Sequence, residues 1–448
     1  MLRDGWQIQR HLLREVKLRH AILLALATAA LAARAAEPWA LERAVGFALT
    51  NSPDARIAAH RIAAAQAVIE QANSAFWPRV TFQSGYARTD NPMFSFGNIL
   101  NQRSYSPSIN FNDVPNTDNL NVRGLVTMPL YSGGKPTAEK AAAKANTAAA
   151  RQEAEVVRNA LGFEVVRAFF TVQKTRRFIE AAQAAVSSYE ASVAIAQKRL
   201  DGGTLLRADL LDLEVRLAQA REDSVRARNA NALARRALQN LLGIEQPDFA
   251  VVEAAPTLAA PETSTGQPRP ELTAANERAR AAEAQVRSAK SGHRPRLSAF
   301  GSLDYDYGWV LNGDGGSYTA GVLLQWDLWD GRLTRSKVSE AQANYEAARE
   351  QERKLRLALN LEAEQARLDL QQTTERLAVG EKTVAQAEES LQITRKRFAE
   401  GQALTTQLLD SQTALTAAKV RRAEAEADRQ IAIAALRKAL ALPPLEVK

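Results

Sequence analysis

The sequence predicts a mainly α-helical chain with a smaller β-sheet portion, and it predicts that both portions occur twice. Three observations support this fold class. Matching segments recur in the two halves of the chain, long Ala-rich stretches carry helical periodicity, and four short segments alternate apolar with polar residues. Ala-rich, charge-laced sequence favours long, closely packed helices over a bulky globular core. Consistent with this, only 6% of the 448 residues are aromatic.

The duplication is clearest in two segments, RLDGGTLLRADLLD at 199–212 and RFAEGQALTTQLLD at 397–410, in which six of fourteen residues are identical. The segments PLYSGG and DLWDGR recur at the same offset of 198 residues. Pro78 and Pro295 align at a longer offset of 217, so the first copy has the longer loop between its strands. Each copy therefore reads helix, strand, loop, strand, long helix, turn, helix.

The first 35 residues have the pattern of a cleaved signal peptide. Arg14, Lys17 and Arg19 are basic, the apolar run at 21–33 is too short to span a bilayer comfortably, and 33–35 is an A-x-A-like cleavage site. The alternative is a buried Ala/Leu helix. The chain has no Cys, which excludes disulfides, thiolate zinc sites and a lipidated N-terminal Cys. We therefore predict an exported protein that is not lipidated.

Charge and hydropathy limit the partners. The formal charge is +8, and residues 1–35 contribute +4 of it through six Lys/Arg and two Asp/Glu, which leaves +4 on the mature chain. A charge this small does not indicate nucleic-acid binding. Beyond residue 35, no apolar run approaches the ~20 residues of a membrane-spanning helix. An exported chain of this kind is soluble, or it enters an outer membrane as β-strands.

The domain organisation follows from the duplication. We predict a first repeat over 36–255, a Pro/Thr-rich linker over 256–269 and a second repeat over 270–448. Each repeat contains a helical pattern that ends at glycine and predicts a rod of roughly 100 Å, which must lie against other helices. The predicted helices cover 38–75, 136–201, 204–243, 270–291, 334–400 and 403–441, and the predicted strands cover 79–88, 119–131, 296–309 and 317–329.

The predicted strands are apolar on one side and polar on the other. In the first strand, Val80, Phe82 and Tyr86 alternate with Thr81 and Gln83. This alternation is typical of outer-membrane barrel strands, although an ordinary half-buried antiparallel sheet has the same pattern. Four strands cannot close a barrel, and an open edge cannot face lipid. Eight strands from two chains would be filled by side chains, whereas twelve from three chains would surround a lumen.

With these features the chain resembles the TolC-like outer-membrane factor family, the exit ducts of tripartite efflux pumps and type I secretion systems. The resemblance covers about 38–442 and rests on the duplication, the strand pairs, the PLYSGG and DLWDGR turns, and the paired segments at 199–212 and 397–410. It implies a homotrimer with a twelve-stranded barrel in the outer membrane of a Gram-negative bacterium and a long α-helical coiled-coil tunnel in the periplasm. Substrates would pass through without chemical change.

The resemblance also implies partners and their contact residues. A periplasmic adaptor (membrane fusion) protein would link the channel to an inner-membrane pump, and outer-membrane lipid would surround the barrel. The paired segments would form the periplasmic entrance, with Leu210, Leu211, Leu408 and Leu409 packing the returning helices. The loops at 88–119 and 308–317 would lie outside the cell. The adaptor would dock on a rim formed by Arg199, Gly203, Leu205, Leu206, Arg397, Gly401 and Leu404.

A gate at the entrance is implied by the same resemblance. Three copies of Asp410 around a threefold axis would form a pore-lining ring of negative charge that attracts cations. Gln407, three residues earlier, is uncharged, so one charged ring is expected where some members have two. Asp209 and Asp212 align with these two positions and are expected to link neighbouring hairpins. The alternative for Asp410 is an exposed helix residue.

Alternatives remain open for two further groups of residues. Arg199 and Arg397 precede the turns, where they complement the helix dipole, so they could also be caps on a solvated face. Some members of the family lock the entrance with polar links around the second turn. Phe398 and Ala403 are expected to offer no such link, so a lock here would be different or weaker.

Other functions find little support in the sequence. His60 and His293 are the histidines that remain after signal removal, so no metal site is expected. The segment SGGKPT at 132–137 lacks the spacing of a phosphate loop. No nucleophile with a base partner is visible, so we predict neither an enzyme nor a cofactor. A small-molecule efflux conduit is the first hypothesis. A protein-secretion conduit and a periplasmic coiled-coil scaffold without a pore are the alternatives.

Overall fold

The computed structural model describes residues 38–110, 112–245, 249–253, 256–261 and 268–445, so the signal-peptide prediction lies outside the described residues. The predicted fold class is confirmed, because long helices accompany a four-stranded antiparallel sheet. The elements in chain order are α1 (Leu41–Asn51), α2 (Pro53–Ser74), β1 (Arg79–Thr89), α3 (Pro92–Asn101), β2 (Thr117–Ser132), α4 (Lys135–Asp201), α5 (Arg207–Leu242), α6 (Pro270–Lys290), β3 (Arg296–Gly308), β4 (Gly313–Gln325), α7 (Leu333–Ala399) and α8 (Thr405–Ala439).

The sheet places the strand pairs of the two repeats side by side. Its order is β1-β2-β3-β4, and every neighbouring pair is antiparallel. Tyr86 lies opposite Leu120, which in turn lies opposite Tyr307, so the apolar residues of successive strands share one face. The second strand of the first repeat, β2, therefore pairs with the first strand of the second repeat, β3. The strands of the two repeats thus form one continuous sheet.

The fourth strand differs from its predicted range. We expected it over 317–329 after a loop at 308–317, but β4 spans Gly313–Gln325 and follows a connection of four residues, 309–312. The alternation at 326–329 continues the strand pattern, but β3 begins at Arg296, which pairs with Gln325. Beyond Gln325 there is therefore no neighbouring residue on β3 to hydrogen-bond, and the strand ends.

The first predicted helix, 38–75, is interrupted. The structure has two helices, α1 and α2, with Ser52 between them in a non-helical conformation of φ −58° and ψ 142°. The cause is Pro53, because a proline ring disfavours the α region for the preceding residue. Pro53 is then acceptable as the first residue of α2, where its missing N–H leaves no helical hydrogen bond unmade.

The chain divides into two compact units, and the long helices α4 and α7 each contribute residues to both. The first unit comprises 1–56, 158–266 and 362–448, so its described part contains α1, α5 and α8. The start of the predicted linker packs there, since the buried Leu258 donates its backbone N–H to Gln430 Oε1 at 2.9 Å. Its hydrophobic core includes Leu41, Val165, Phe169, Leu238, Leu242 and Ile433.

The second unit comprises 57–157 and 267–361 and contains the sheet together with α2, α3 and α6. Its helices pack through small residues, and α6 buries Ala279, Ala281 and Ala284. Thr147 on α4 donates its hydroxyl to the Ala65 carbonyl on α2 at 3.0 Å. Alanine allows such close helix approach, which explains how so Ala-rich a chain can build long helices with few aromatic residues.

Candidate functional site

Two helix-to-helix turns of equal construction end the long helices. In the first, α4 ends at Asp201 and the N–H groups of Gly203 and Thr204 donate to the carbonyls of Leu200 and Arg199, at 2.9 and 2.8 Å. Gly203 has φ +68°. This is a Schellman helix stop, which needs a left-handed residue and therefore favours glycine. The second turn repeats it, with Gly401 at φ +80° and bonds of 3.1 and 2.7 Å to the carbonyls of Phe398 and Arg397.

Each returning helix begins after an exposed leucine. Leu206 and Leu404 are the extended residues that precede α5 and α8, and their side chains are 73% and 68% exposed. The backbone N–H of Leu404 donates to Gln407 Oε1 at 3.2 Å, so the Gln407 side chain caps its own helix. The equivalent residue of the first repeat is Asp209, an acidic residue in the first turn of α5, where it complements the helix dipole.

A polar contact joins the two turns. Arg199 Nη1 donates to the backbone carbonyl of Phe398 at 2.9 Å, and Nη2 donates to the Thr204 carbonyl of its own turn at 3.0 Å. The guanidinium also lies 5.0 Å from the centre of the Phe398 ring. The expectation that Phe398 contributes no polar link is therefore wrong, because its backbone carbonyl accepts what its side chain cannot. The sequence does not reveal this acceptor, because every residue has a backbone carbonyl.

A cleft of about 540 Å³ lies between the two turns and brings most of the predicted site residues together. Arg397 is exposed outside this lining, and so are Asp212 on α5 and Asp410 on α8. Neither Asp209 nor Asp212 forms a hydrogen bond or ion pair to the second hairpin within the described ranges. The predicted residues that line the cleft are Arg199, Gly203, Leu205, Leu206, Asp209, Gly401, Leu404 and Gln407.

Apolar packing beneath the cleft holds the two hairpins together. Phe398 and Leu408 are fully buried, and Leu210 and Leu409 are more than nine-tenths buried. Leu211 was expected to pack with them, but it is 48% exposed and lies on another face of α5. The expectation for Leu211 was wrong because adjacent helical residues point about 100° apart, and on α5 this turns Leu211 away from the core that Leu210 enters.

A buried polar bridge crosses this core and was not identified from the sequence. Gln412 on α8 is 2% exposed, and its Nε2 donates to Ser192 Oγ at 2.7 Å and to Ser188 Oγ at 3.0 Å on α4. Arg395 on α7 donates to the same Ser188 hydroxyl. Three of the four helices of the two hairpins therefore meet at one serine. The serines lie one turn apart, a spacing that the sequence does contain.

The sheet forms a second candidate site because its two faces differ. The face that carries Val80, Phe82, Leu303, Tyr318 and Val322 is apolar, and these side chains are 63–79% exposed. On the opposite face the Arg123 guanidinium pairs with Asp304, and Asn121 Nδ2 donates to Asp306 Oδ1 at 3.0 Å. The apolar residues are thus exposed, whereas the carboxylates of Asp304 and Asp306 are enclosed, which is the reverse of a water-exposed sheet.

The loop at 88–119 contains an element that we did not predict. The helix α3 starts at Asn91-Pro92, where the Asn91 side chain accepts hydrogen bonds from the N–H groups of Met93 and Phe94 at 3.1 and 3.4 Å. An Asn followed by Pro is a helix-start signal, so the sequence did contain the information. The buried residues Ser95 and Ile99 turn one face of α3 towards the sheet.

Among the described residues, no group of three His, Cys, Asp or Glu side chains is placed to hold a metal ion. No helix in the described ranges is long and apolar enough to cross a membrane.

The comparisons with known proteins agree with this geometry. A family model described as outer membrane efflux protein matches residues 45–244 and 264–442, one segment in each repeat. Among curated proteins, no relative matches the chain.

Several solved structures share the fold. The outer-membrane channel OprN superposes with a TM-score of 0.76 at 21% identity and 90% coverage of both chains. VceC from Vibrio cholerae gives 0.73 at 20% identity, with 89% of this chain and 95% of that chain covered. The open-state MtrE channel of Neisseria gonorrhoeae gives 0.72 at 16% identity, with 90% and 89% covered. At these identities the similarity is one of fold.

Proposed function

Because the chain belongs to the outer membrane efflux protein family, we propose that it forms the outer-membrane channel of a tripartite efflux system. Three copies close one barrel, and small molecules delivered by an inner-membrane pump leave passively through it. The observation that carries this proposal is a four-stranded sheet with an exposed apolar face and two edge strands, β1 and β4, that pair with no further strand in the described residues.

Closure by several chains follows from the cost of the open edges. An unpaired backbone group in hydrocarbon costs several kcal/mol, so a sheet whose apolar face contacts lipid must close on itself. Pairing β1 of one copy with β4 of the next achieves this in a ring. Three copies supply twelve strands, which leave a lumen lined by the polar face with Asp304 and Asp306. The apolar face with Tyr318 and Val322 then contacts outer-membrane lipid.

Exposed apolar stripes on two helices support the same assembly. Large exposed apolar residues form a stripe along one side of α5 and another along one side of α7. At about 100° per residue, the side chains of each stripe point within about 40° of a common direction. Such stripes are covered in long-helix assemblies by a neighbouring helix. We infer that α5 of one copy packs beside α7 of the next. The stripe residues are Leu211, Val215, Val225 and Leu233 on α5, and Leu368, Val379 and Ile393 on α7.

The cleft between the hairpin turns is the proposed docking site of the periplasmic adaptor. Leu206 and Leu404 present exposed apolar side chains at its rim, and Gly203 and Gly401 keep the turns free of side chains. Apolar anchors around a concave surface are the features that bind a partner most strongly. Arg397, exposed beside the second turn, completes the proposed rim.

The gate assignment is part of the same proposal. Three copies of Asp410 and of Gln407 line the narrow entrance, and the Asp410 carboxylates give it cation selectivity. Asp209 and Asp212 face the neighbouring copy and help to align the hairpins. Both Asp410 and Asp212 are exposed on one chain and therefore free to take these positions.

Reconstitution with an adaptor and a pump tests the proposal. We expect the detergent-extracted protein to form ion-conducting channels in planar bilayers. In a Gram-negative strain that lacks its own efflux channels, it should restore dye export when the adaptor and pump are co-expressed. The double variant Leu206→Asp/Leu404→Asp should conduct normally and fail to export, because it changes the rim and leaves the barrel intact. Protein that is extracted without detergent and conducts no ions would overturn the channel function.

A further inference from the structure

We propose that three copies of α3 meet around the barrel axis and form an apolar constriction at the outer mouth of the channel. The occupant of the exposed face of α3 is therefore the same helix of the other two subunits. This inference rests on the proposed function, since it requires the trimeric barrel. It assigns a role to a segment that the entrance and the adaptor cleft do not involve.

The helix α3 is fastened to the polar face of the sheet. Gln102, which follows it, is 1% exposed, and its Nε2 donates to the Asp118 carbonyl at 2.6 Å and to Asn119 Oδ1 at 3.0 Å. One turn earlier, Asn98 Nδ2 donates to Thr117 Oγ1 at 3.0 Å. Asn119 shares its side of the sheet with Asp306, to which it donates a hydrogen bond. These anchors place α3 on the face that lines the lumen.

Three glycines allow this close approach. A side chain at Gly308, Gly313 or Gly315 would collide with the end of α3 and the residues after it. At Gly315, for example, an added Cβ would lie 2.0 Å from the Asn101 carbonyl oxygen. By register all three positions belong to the polar face, where Gly315 lies opposite Asp306 and Gly313 opposite Gly308. The sheet is therefore shaped to receive this segment on its lumen side.

The position along the strands identifies the mouth. The segment lies over the ends of β2, β3 and β4 that are connected by loops, at Thr117, Gly308 and Gly313. The opposite ends of the strands, at Ser132, Arg296 and Gln325, adjoin helices. If the helices lie on the periplasmic side, then α3 lies at the end of the barrel that opens to the exterior.

The dimensions of the barrel bring the three copies together. Twelve strands about 4.8 Å apart and tilted by about 40° enclose a backbone radius of roughly 12 Å. An α-helix with its side chains is about 10–12 Å across. A helix lying on the lumen wall therefore reaches to within a few ångströms of the axis, and three copies related by threefold symmetry fill the opening.

The face that α3 turns towards the axis is apolar. Ser95 and Ile99 are fully buried against the sheet. Met93 and Leu100 project from the other side of the helix, 76% and 48% exposed, with the 68% exposed Phe94 beside them. A narrow pore lined by such side chains excludes water and thereby opposes the passage of ions. We infer that the constriction limits leakage from the exterior and yields to exported molecules.

Cysteine cross-linking tests whether the helices meet. The chain contains no Cys, so a single Met93→Cys variant introduces one thiol per subunit. Oxidation of the assembled trimer should join two subunits by a disulfide, which forms only when the Cβ atoms approach to about 4 Å. The matched control is Tyr318→Cys, because Tyr318 is 79% exposed on the apolar face of the sheet and should remain unlinked.

Conductance provides the second readout. The double variant Met93→Ser/Phe94→Ser should raise single-channel conductance severalfold, since polar side chains keep the constriction hydrated, and should leave trimer formation unchanged. A conducting trimer that neither cross-links at Met93 nor changes its conductance overturns the constriction but leaves the proposed function standing. Failure to assemble a conducting trimer in the unmodified protein overturns both.

Discussion

Arg199 and Arg397 occupy equivalent positions in the two repeats but have different surroundings. Arg199 donates to the Phe398 carbonyl at 2.9 Å and joins the two hairpin turns, whereas Arg397 is exposed. The two turns therefore share a backbone geometry, but the equivalent arginine side chains make different contacts. In the proposed channel the hairpins separate when the entrance widens, so a contact between their turns opposes that widening.

The first prediction concerns this contact. Arg199→Ala should destabilise the paired turns by about 1 kcal/mol, since the carbonyl of the buried Phe398 loses a charged donor. The open probability of single channels in planar bilayers should increase as a result. Arg397→Ala is the matched control and should behave as the unmodified protein. Equal behaviour of the two variants would refute a linking role for Arg199.

The second prediction concerns selectivity at the entrance. Asp410→Asn should weaken cation selectivity, because the amide is uncharged and a ring of three carboxylates is lost. The measurement is the reversal potential under a KCl gradient. Asp212→Asn at the equivalent position of the first repeat should leave that potential unchanged. A reversal potential that does not respond to Asp410→Asn would exclude this carboxylate from the pore lining.

Residue-level inference from the sequence succeeded where the repeat itself carried the information. The glycine stops at Gly203 and Gly401 were predictable because αL geometry favours glycine. The link from Arg199 to the Phe398 carbonyl was not, because a backbone acceptor has no sequence signature. The exposure of Leu211 was also missed, since a leucine pair does not reveal which member faces the core.

At the scale of helices, the buried bridge around Ser188 specifies how the two hairpins align. The Gln412 side chain reaches Ser188 and Ser192 on α4, and Arg395 on α7 reaches Ser188. The surrounding apolar contacts are less directional than these hydrogen bonds. A polar cluster within an apolar helix interface therefore fixes the register of the helices along one another.

The third prediction tests this bridge. Gln412→Ala should lower the free energy of unfolding by about 1–3 kcal/mol, because the buried hydroxyl of Ser192 loses a partner that water cannot replace. Thermal melting followed by circular dichroism measures the change. Glu214→Ala is the control at the equivalent position of the first repeat, where the side chain is exposed. Equal melting temperatures for the two variants would contradict a structural role for the bridge.

Element boundaries could be predicted only where local chemistry decides them. Glycine turns in the sequence predict where the long helices end, and in the structure these helices end at Asp201 and Ala399. The strand β4 ends at Gln325 because its partner begins at Arg296, which depends on pairing over a long sequence separation. The helix α3 was missed because its start signal, Asn91-Pro92, lies in a segment whose composition otherwise indicates a loop.

At the scale of the whole molecule, the apolar and the polar face of the sheet should respond differently to a charged substitution. Tyr318 and Thr319 are neighbours at the centre of β4, and their side chains lie on the apolar and the polar face respectively. The same change at these two positions therefore separates contact with lipid from contact with the lumen.

The fourth prediction uses this pair. Tyr318→Arg should be destabilising by about 2–4 kcal/mol, the cost of a basic side chain on the lipid face near the bilayer midplane, and should reduce the yield of membrane-inserted protein. Thr319→Arg should insert at the normal level. Fractionation and immunoblotting of the outer membrane measure both. Normal insertion of the Tyr318→Arg variant would exclude contact between this face and lipid.

The overall architecture was predictable because its signals are redundant along the chain. Because the chain has two repeats, the sequence pattern of each element occurs twice. The alternation of apolar and polar residues along the strands identifies both faces of the sheet. The same strand count leads to the assembly, since four strands with open edges require partners. Contacts between side chains of distant helices, such as Ser188 with Gln412, required the structure.

The most direct test of this account is the number of chains in the detergent-extracted assembly, measured by native mass spectrometry. The account predicts three copies, because twelve strands are needed to surround a lumen with this four-stranded sheet. A monomer or a dimer as the largest species would contradict it, since neither can close a barrel that conducts.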